Sequence, residues 1–146
     1  MDGDGILDMV VATVTLGPPP RREREAIDSV EVRLGRNDGT FGDAWSATFG
    51  TVGFCPETCG EEGNLVLGDI NGDGRADAVL SRAIGSQIGI FLGRADGTLE
   101  VPSVFVGTPV SVPGRLALAN FQGDDRLDLA VAGNSQIGIL VGCDPE

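Results

Sequence analysis

Apolar and polar residues alternate along several short runs of this 146-residue chain. In residues 29–34, Val30, Val32 and Leu34 are separated by polar residues, which is the period-two pattern of a strand with one buried face. Other short runs are rich in β-branched residues and end at glycines, as strands between tight turns do. The pattern predicts strands at residues 9–14, 29–34, 45–49, 65–68, 78–80, 87–92, 101–106, 115–119, 129–132 and 136–141.

The chain repeats itself. Leu34–Phe41 (Leu-Gly-Arg-Asn-Asp-Gly-Thr-Phe) and Leu92–Leu99 (Leu-Gly-Arg-Ala-Asp-Gly-Thr-Leu) agree at six of eight positions. Asp-Gly between two strands is a hairpin signal, because glycine accepts the positive φ of such turns. A second match joins Gln136–Leu140 to Gln87–Phe91. The chain therefore contains repeated structural units.

Each complete unit reads strand, acidic loop, strand, short turn, strand, Asp-Gly turn, strand, which predicts a four-stranded antiparallel meander. Such a sheet has two apolar faces and must stack on a neighbour. Radial stacking gives an all-β fold of β-propeller blades, and this length predicts a partial propeller of about two to three blades. The strands are expected to number three, four and three in units 1–52, 63–107 and 114–146, with insertions at 15–28 and 53–62.

The acidic loop of the middle unit has the spacing of a calcium site. In the nine residues Asp69–Asp77, oxygen-bearing side chains stand at positions one, three, five and nine, and Gly74 at position six permits a sharp turn. Calcium takes six to eight oxygen ligands. The expected ligands are the side chains of Asp69, Asn71, Asp73 and Asp77 and the backbone carbonyl of Arg75. A merely solvated acidic face is the simpler alternative.

The other two units carry variants of this loop. In the first, the matching positions are Asp2, Asp4, the carbonyl of Ile6, and Asp8, and the partner of Asp69 would precede Met1. In the third, the matching side chains are Asn120, Gln122, Asp124 and Asp128. Asp125 there replaces the turn glycine, which makes the backbone conformation costly. The third loop is expected either to bind calcium weakly or to keep only its shape through side-chain hydrogen bonds.

The motifs Gly68–Asp77 and Leu92–Thr98, paired in one repeated unit, resemble the FG-GAP/VCBS repeat family, whose propeller repeats also form integrin α-subunit heads. The resemblance covers nearly the whole chain outside the two insertions. It implies calcium-binding propeller blades in a protein that is secreted or displayed at the cell surface. Because three, four and three strands do not close a seven-bladed ring, the resemblance also implies further repeats in cis or self-association.

The composition narrows the range of functions that the chain can have. The formal net charge of −12 makes nucleic acid an unsuitable partner, since phosphate binding needs clustered cations. The sequence contains no His, Lys or Tyr, which removes histidine general bases and Schiff-base lysines. We therefore expect a non-enzymatic, calcium-stabilised scaffold for extracellular protein binding or adhesion. The alternatives are a carbohydrate-binding propeller, with Trp45 as the one aromatic candidate, and a non-catalytic part of a polysaccharide-degrading enzyme.

Three further expectations concern the cysteines, the membrane and targeting. Cys55 and Cys59 are compatible with a local disulfide and equally with two free thiols, while Cys143 would be unpaired. No apolar run approaches the ~18 residues of a membrane span. No signal peptide is expected within this chain, because Met1 is followed directly by Asp2-Gly3-Asp4.

Overall fold

The protein is described by a computed structural model, which covers residues 1–16, 26–52, 64–81, 87–101, 105–107, 114–133 and 135–141. All regular secondary structure in these ranges is β-strand. The ten strands are β1 (Met9–Leu16), β2 (Ala26–Gly35), β3 (Phe41–Val52), β4 (Leu65–Gly68), β5 (Asp77–Ser81), β6 (Gln87–Phe91), β7 (Phe105–Gly107), β8 (Arg115–Ala119), β9 (Asp128–Ala132) and β10 (Ile137–Leu140).

The strands form three antiparallel sheets, each with its strands in chain order: β1-β2-β3, β4-β5-β6-β7 and β8-β9-β10. Chain-order pairing is the arrangement of a meander, in which each hairpin leads directly into the next. The predicted all-β fold is confirmed, and the described strands number three, four and three, as the repeat predicts. No helix in the described ranges is long and apolar enough to cross a membrane.

The first hairpin is longer than its sequence pattern predicts. β1 and β2 pair continuously from Met9↔Arg33 to Leu16↔Ala26. The segment 15–28, expected to be a surface insertion, therefore contributes paired strand residues at both of its ends. Its remainder, including Pro18–Pro20, lies outside the described residues. The whole second insertion (53–62), with Cys55 and Cys59, also lies outside them, as does Cys143.

The middle sheet is covered on both faces. On one face, Ala78, Leu80 and Phe91 pack with Val30 and Val32 of the first sheet, and Trp45 joins the edge of this cluster. On the other face, the covering residues come from the third sheet. That second cluster contains Val79, Ile88, Leu116, Leu129 and Val131. Because neighbouring residues on a strand point to opposite faces, Ala78 and Val79 enter different cores.

Two glycines lie where neighbouring units pack closely against each other. A Cβ on Gly68, at the end of β4, would lie 2.8 Å from Leu127 and 2.9 Å from Leu118 of the third unit. A Cβ on Gly97, in the Asp-Gly turn of the middle unit, would lie 2.7 Å from the side chain of Leu34. The three sheets thus stack in order, with the middle sheet between the other two.

Candidate metal-binding loops

Asp69 organises the loop that joins β4 to β5. Its Oδ1 accepts the backbone N–H groups of Gly72 at 2.7 Å and Asp73 at 3.1 Å. Its Oδ2 accepts the N–H of Gly74 at 2.8 Å. Both loop glycines have positive φ (76° at Gly72 and 83° at Gly74), so the backbone can curl round this carboxylate without a steric penalty.

Asn71 and Asp73 hold the rest of the turn. Asn71 Oδ1 accepts the N–H of Asp73 at 3.0 Å, and Asp73 Oδ1 accepts the N–H of Arg75 at 2.9 Å. Asp73 Oδ2 also receives the Arg75 guanidinium at 2.8 Å in an exposed ion pair. Hydrogen bonding from the Arg75 backbone is the largest influence on the pKa of Asp73 and lowers it. Asp73 is therefore ionised at neutral pH.

Asp77, at position nine, is fully buried at the start of β5. Its Oδ2 accepts the N–H of Ile70 at 2.9 Å, and its Oδ1 accepts the N–H of Gly93 at 2.7 Å. Burial raises the pKa of Asp77, while the hydrogen bonds from Gly93 and Ile70 oppose that rise. The carboxylate thus ties the acidic loop to the Asp-Gly turn that follows β6.

The first loop repeats this arrangement. Asp2 Oδ1 accepts the N–H of Asp4 at 3.1 Å, and Asp4 Oδ1 accepts the N–H of Ile6 at 2.8 Å. Asp8 Oδ1 accepts the N–H of Gly35 at 2.8 Å, as Asp77 does with Gly93. The other oxygen of Asp8 binds the terminal ammonium of Met1, which takes the place of the Ile70 N–H.

The third loop keeps the same frame despite its altered residues. Asn120 Oδ1 accepts the N–H groups of Gly123 and Asp124, as Asp69 does in the middle loop. Asp124 Oδ1 accepts the N–H of Arg126 at 3.2 Å, and Asp128 Oδ2 accepts the N–H of Phe121 at 2.8 Å. Asp125 stands at φ 65°, the one positive-φ residue other than glycine in the described ranges. Gln122 is exposed.

The structure reveals a role for position nine that the sequence did not suggest. Asp8 and Asp77 were predicted only as metal ligands, yet each joins its loop to a glycine far along the chain. A Cβ on Gly35 would lie 2.3 Å from the carbonyl oxygen of Leu7, and a Cβ on Gly93 would lie 2.5 Å from that of Ala76. The shared Leu-Gly-Arg pattern was the available signal, because a glycine outside the turn itself indicates close backbone approach.

The Asp-Gly turns are also built alike. Asp38 Oδ1 accepts the N–H of Thr40 at 3.0 Å and its hydroxyl at 2.6 Å. Asp96 Oδ1 accepts the corresponding groups of Thr98 at 3.0 Å and 2.6 Å. In each case the threonine hydroxyl is the largest cause of a lowered pKa of the aspartate. These two carboxylates belong to the turns and lie outside the predicted ligand sets.

The loops supply the oxygen types that calcium prefers, but those oxygens are engaged with N–H donors. In the described part of the chain, no three His, Cys, Asp or Glu side chains are grouped so that they could hold one ion. The carboxylate of Asp77 accepts the N–H groups of Ile70 and Gly93, while those of Asp69 and Asp73 accept N–H groups within the acidic loop. Chemically, each loop is a frame of carboxylate and amide oxygens closed by backbone hydrogen bonds.

Stacked antiparallel meanders that carry the same acidic loop and the same Asp-Gly turn define a β-propeller-like repeat scaffold. The family model for the FG-GAP-like repeat matches residues 1–80 and residues 69–131, so the chain belongs to the FG-GAP-like repeat family. The two matches share residues 69–80, which hold the middle loop and most of β5. A search of curated proteins and a search of solved structures each found no match.

Proposed function

We propose that this chain is a calcium-binding segment of a repeat scaffold, with its principal site at Asp69–Asp77. The supporting observation is that Asp69, Asn71 and Asp73 all turn their side-chain oxygens onto the backbone of one nine-residue loop. These three residues and Asp77, with the carbonyl of Arg75, would hold the ion. Asp2, Asp4, Asp8 and the carbonyl of Ile6 would serve in the first loop.

The loop has acceptor capacity left for a cation. Asp69 accepts three hydrogen bonds and Asp73 accepts three, whereas an ionised carboxylate offers about four acceptor positions. Two of the three donors to Asp73 are exposed side chains, the Asn71 amide and the Arg75 guanidinium. A cation would displace these weakly held partners, because solvent screens an exposed ion pair and leaves it little net stability.

Charge supports a divalent ion at this loop. Asp69, Asp73 and Asp77 carry three formal negative charges against the one positive charge of Arg75. The pKa of the buried Asp77 is raised further by the neighbouring charge of Asp73. When bound, calcium would offset this repulsion and stabilise the hairpin of β4 and β5 by mass action. The third loop would bind more weakly, since the amide of Asn120 stands where the middle loop has the carboxylate of Asp69.

We further propose that the scaffold is non-catalytic and serves extracellular protein binding or adhesion, with a protein or glycan ligand. Support comes from the repeat family and from the absence of His, Lys and Tyr in the sequence, and the calcium site proposed above is compatible with this role. Extracellular calcium modules bind with dissociation constants of about 10⁻⁴–10⁻³ M, which suits a short exposed loop with few carboxylates. Trp45 packs at the edge of a core cluster, so we propose no separate sugar site.

Titration calorimetry of the whole chain with calcium tests the site. The wild-type chain should show saturable binding, and Asp69→Asn and Asp73→Asn should each weaken it at least tenfold while preserving side-chain shape. Asp43→Asn is the matched control, since it removes one charge from an exposed strand position outside the loops. Absence of wild-type binding would refute the site. An equal loss in the control would show that net charge, and not loop geometry, determines binding.

A further inference from the structure

Asn71 and Gly72 form an Asn-Gly step in the exposed part of the middle acidic loop. Asn71 is the one asparagine of this sequence that precedes a glycine. An asparagine in this context can lose its side-chain amide when the next backbone nitrogen attacks the side-chain carbonyl carbon. Glycine favours the attack because it has no Cβ to obstruct the approach. The contacts around this step decide whether the loop promotes that reaction.

The attacking nitrogen already has a proton acceptor. The N–H of Gly72 donates to Asp69 Oδ1 at 2.7 Å. A group that removes a proton must lie within hydrogen-bond reach of it, at about 2.6–3.2 Å, and this carboxylate does. Asp69 can therefore draw the proton away from the Gly72 nitrogen while that nitrogen forms its new bond.

The loop also polarises the carbonyl group that is attacked. Asn71 Oδ1 accepts the backbone N–H of Asp73 at 3.0 Å. Negative charge develops on this oxygen when its carbon becomes tetrahedral, and a fixed N–H donor stabilises such an oxygen. The same hydrogen bond closes a side-chain turn over the intervening Gly72, so it holds the Asn71 carbonyl group beside the attacking nitrogen.

Space and water are available where the product would form. Gly72 stands at φ 76°, and a Cβ built on it would meet no atom within 4 Å. Asn71 and Gly72 are both exposed to solvent. A succinimide ring made from their atoms would therefore form without a clash at Gly72, and water could reach it for the second step.

From these contacts we propose that the Asn71–Gly72 step is a site of spontaneous deamidation, promoted by the carboxylate of Asp69 and the backbone N–H of Asp73. The Gly72 nitrogen bonds to Asn71 Cγ, the Cγ–Nδ2 bond breaks, and Nδ2 leaves as ammonia with the proton that Gly72 gave up. Water then opens the succinimide at either of its carbonyl carbons, which gives aspartate or isoaspartate at position 71. The proposal concerns the metal-free loop and does not depend on calcium binding.

The two products should affect the loop differently. The first loop already has an aspartate at this position, and Asp2 Oδ1 accepts the N–H of Asp4 at 3.1 Å as Asn71 Oδ1 accepts that of Asp73. The aspartate product therefore keeps the hydrogen-bonded frame and adds one negative charge. Isoaspartate instead moves the side-chain CH₂ into the backbone, which displaces the N–H groups beyond position 71 from the carboxylate of Asp69.

Peptide mapping of the whole chain, incubated with a chelator and compared with an unincubated sample, locates the modification. Trypsin cleaves after Arg36 and Arg75, so a single peptide carries Asn71 together with the exposed Asn37 as an internal control. Fragmentation should place the mass gain of deamidation at Asn71 and much less of it at Asn37. Asn71→Gln, which introduces the residue type of Gln122 in the third loop, should abolish the gain at position 71. No gain at Asn71, or an equal gain at Asn37, would overturn the proposal.

Asp69→Asn separates the effect of the loop from that of the Asn-Gly sequence alone. An asparagine here keeps an acceptor oxygen, as Asn120 does in the third loop, but its amide is not a base. In the folded chain, deamidation at Asn71 should slow by about tenfold or more in this variant, and Asp43→Asn should leave the rate unchanged. In urea, where the loop is unfolded, Asp69→Asn and wild type should react equally fast. An equal or faster rate in folded Asp69→Asn would show that Asp69 only restrains the loop, which would overturn the proposed promotion.

Discussion

The Oδ1 atom of Asp77 accepts the backbone N–H of Gly93 at 2.7 Å, across a separation of 16 residues. Its other oxygen accepts the N–H of Ile70, so one buried side chain joins the acidic loop to the Asp-Gly turn. Asp8 and Gly35 repeat the contact in the first unit at 2.8 Å. The two sequence signatures of the repeat are thus parts of one structural element.

Asp77→Asn should destabilise the fold even without metal. An asparagine offers one oxygen in place of two, so one of the N–H groups of Ile70 and Gly93 would face an amide NH₂ and lose its acceptor. An unsatisfied buried donor costs about 1–3 kcal/mol of unfolding free energy. Urea unfolding in the presence of a chelator measures this loss, with the exposed Asp43→Asn as control. An unchanged midpoint would mean that relief of the buried charge cancels the lost hydrogen bond.

Gly93→Ala should be more harmful than an ordinary glycine substitution. The new Cβ would lie 2.5 Å from the carbonyl oxygen of Ala76, a backbone atom that cannot move without displacing Asp77. We expect a loss of about 1–3 kcal/mol, the range for overpacking a filled site. Gly42→Ala is the matched control, because its Cβ would lie no closer than 3.5 Å to any atom. Equal unfolding midpoints for the two variants would contradict the close approach.

The Asp-Gly turns predict a pH dependence. The hydroxyl and N–H of Thr98 lower the pKa of Asp96 in the folded protein below its model-peptide value of 3.8. A lowered folded pKa contributes stability that is present above the unfolded pKa and is lost as the pH falls through the folded pKa. Thr98→Val removes the hydroxyl. The variant should therefore have a lower unfolding free energy than wild type at pH 7, and this difference should shrink below about pH 4.

Carboxyl NMR titration gives a direct measurement of the same effect. The pKa of Asp96 should move upward in Thr98→Val, while that of Asp38, which has its own partner Thr40, should not change. If the pKa of Asp96 is unchanged in Thr98→Val, the backbone N–H of Thr98 alone lowers it, and the hydroxyl does not contribute.

Strand periodicity and internal repetition were sufficient to predict the fold class, the order of the sheets and the number of described strands in each. Both signals are local. Alternating apolar residues indicate the buried face of a single strand, and the repeated segments indicate equivalent turns in different units. The extent of β1 and β2 was not predictable in this way. Residues 15–28 depart from simple alternation, yet cross-strand pairing extends the hairpin to Leu16↔Ala26.

The site was predicted less completely than the fold. Spacing identified the oxygen-bearing residues of each loop, but it could not show which backbone N–H groups they accept. The contact between Asp77 and Gly93 depends on how the β4–β5 loop lies against the end of β6, which is a tertiary relationship. In the sequence, the only sign of this contact is the pair of glycines Gly35 and Gly93, which the turns themselves do not require.

The last prediction concerns Asp125. The sequence predicts an unfavourable backbone conformation there, because Asp125 stands at the position of the turn glycine. It stands at φ 65°, where the equivalent Gly74 stands at φ 83°. A left-handed residue costs an L-amino acid roughly 1–2 kcal/mol, and somewhat less for Asp, which tolerates this region. Asp125→Gly should therefore stabilise the chain by about 0.5–1 kcal/mol, seen as a higher urea midpoint. Asp43→Gly, on the extended strand β3, should instead destabilise it, since glycine there adds only unfolded-state entropy. If both variants lose stability, the hydrogen-bonded frame of the third loop, and not the backbone of Asp125, sets its conformation.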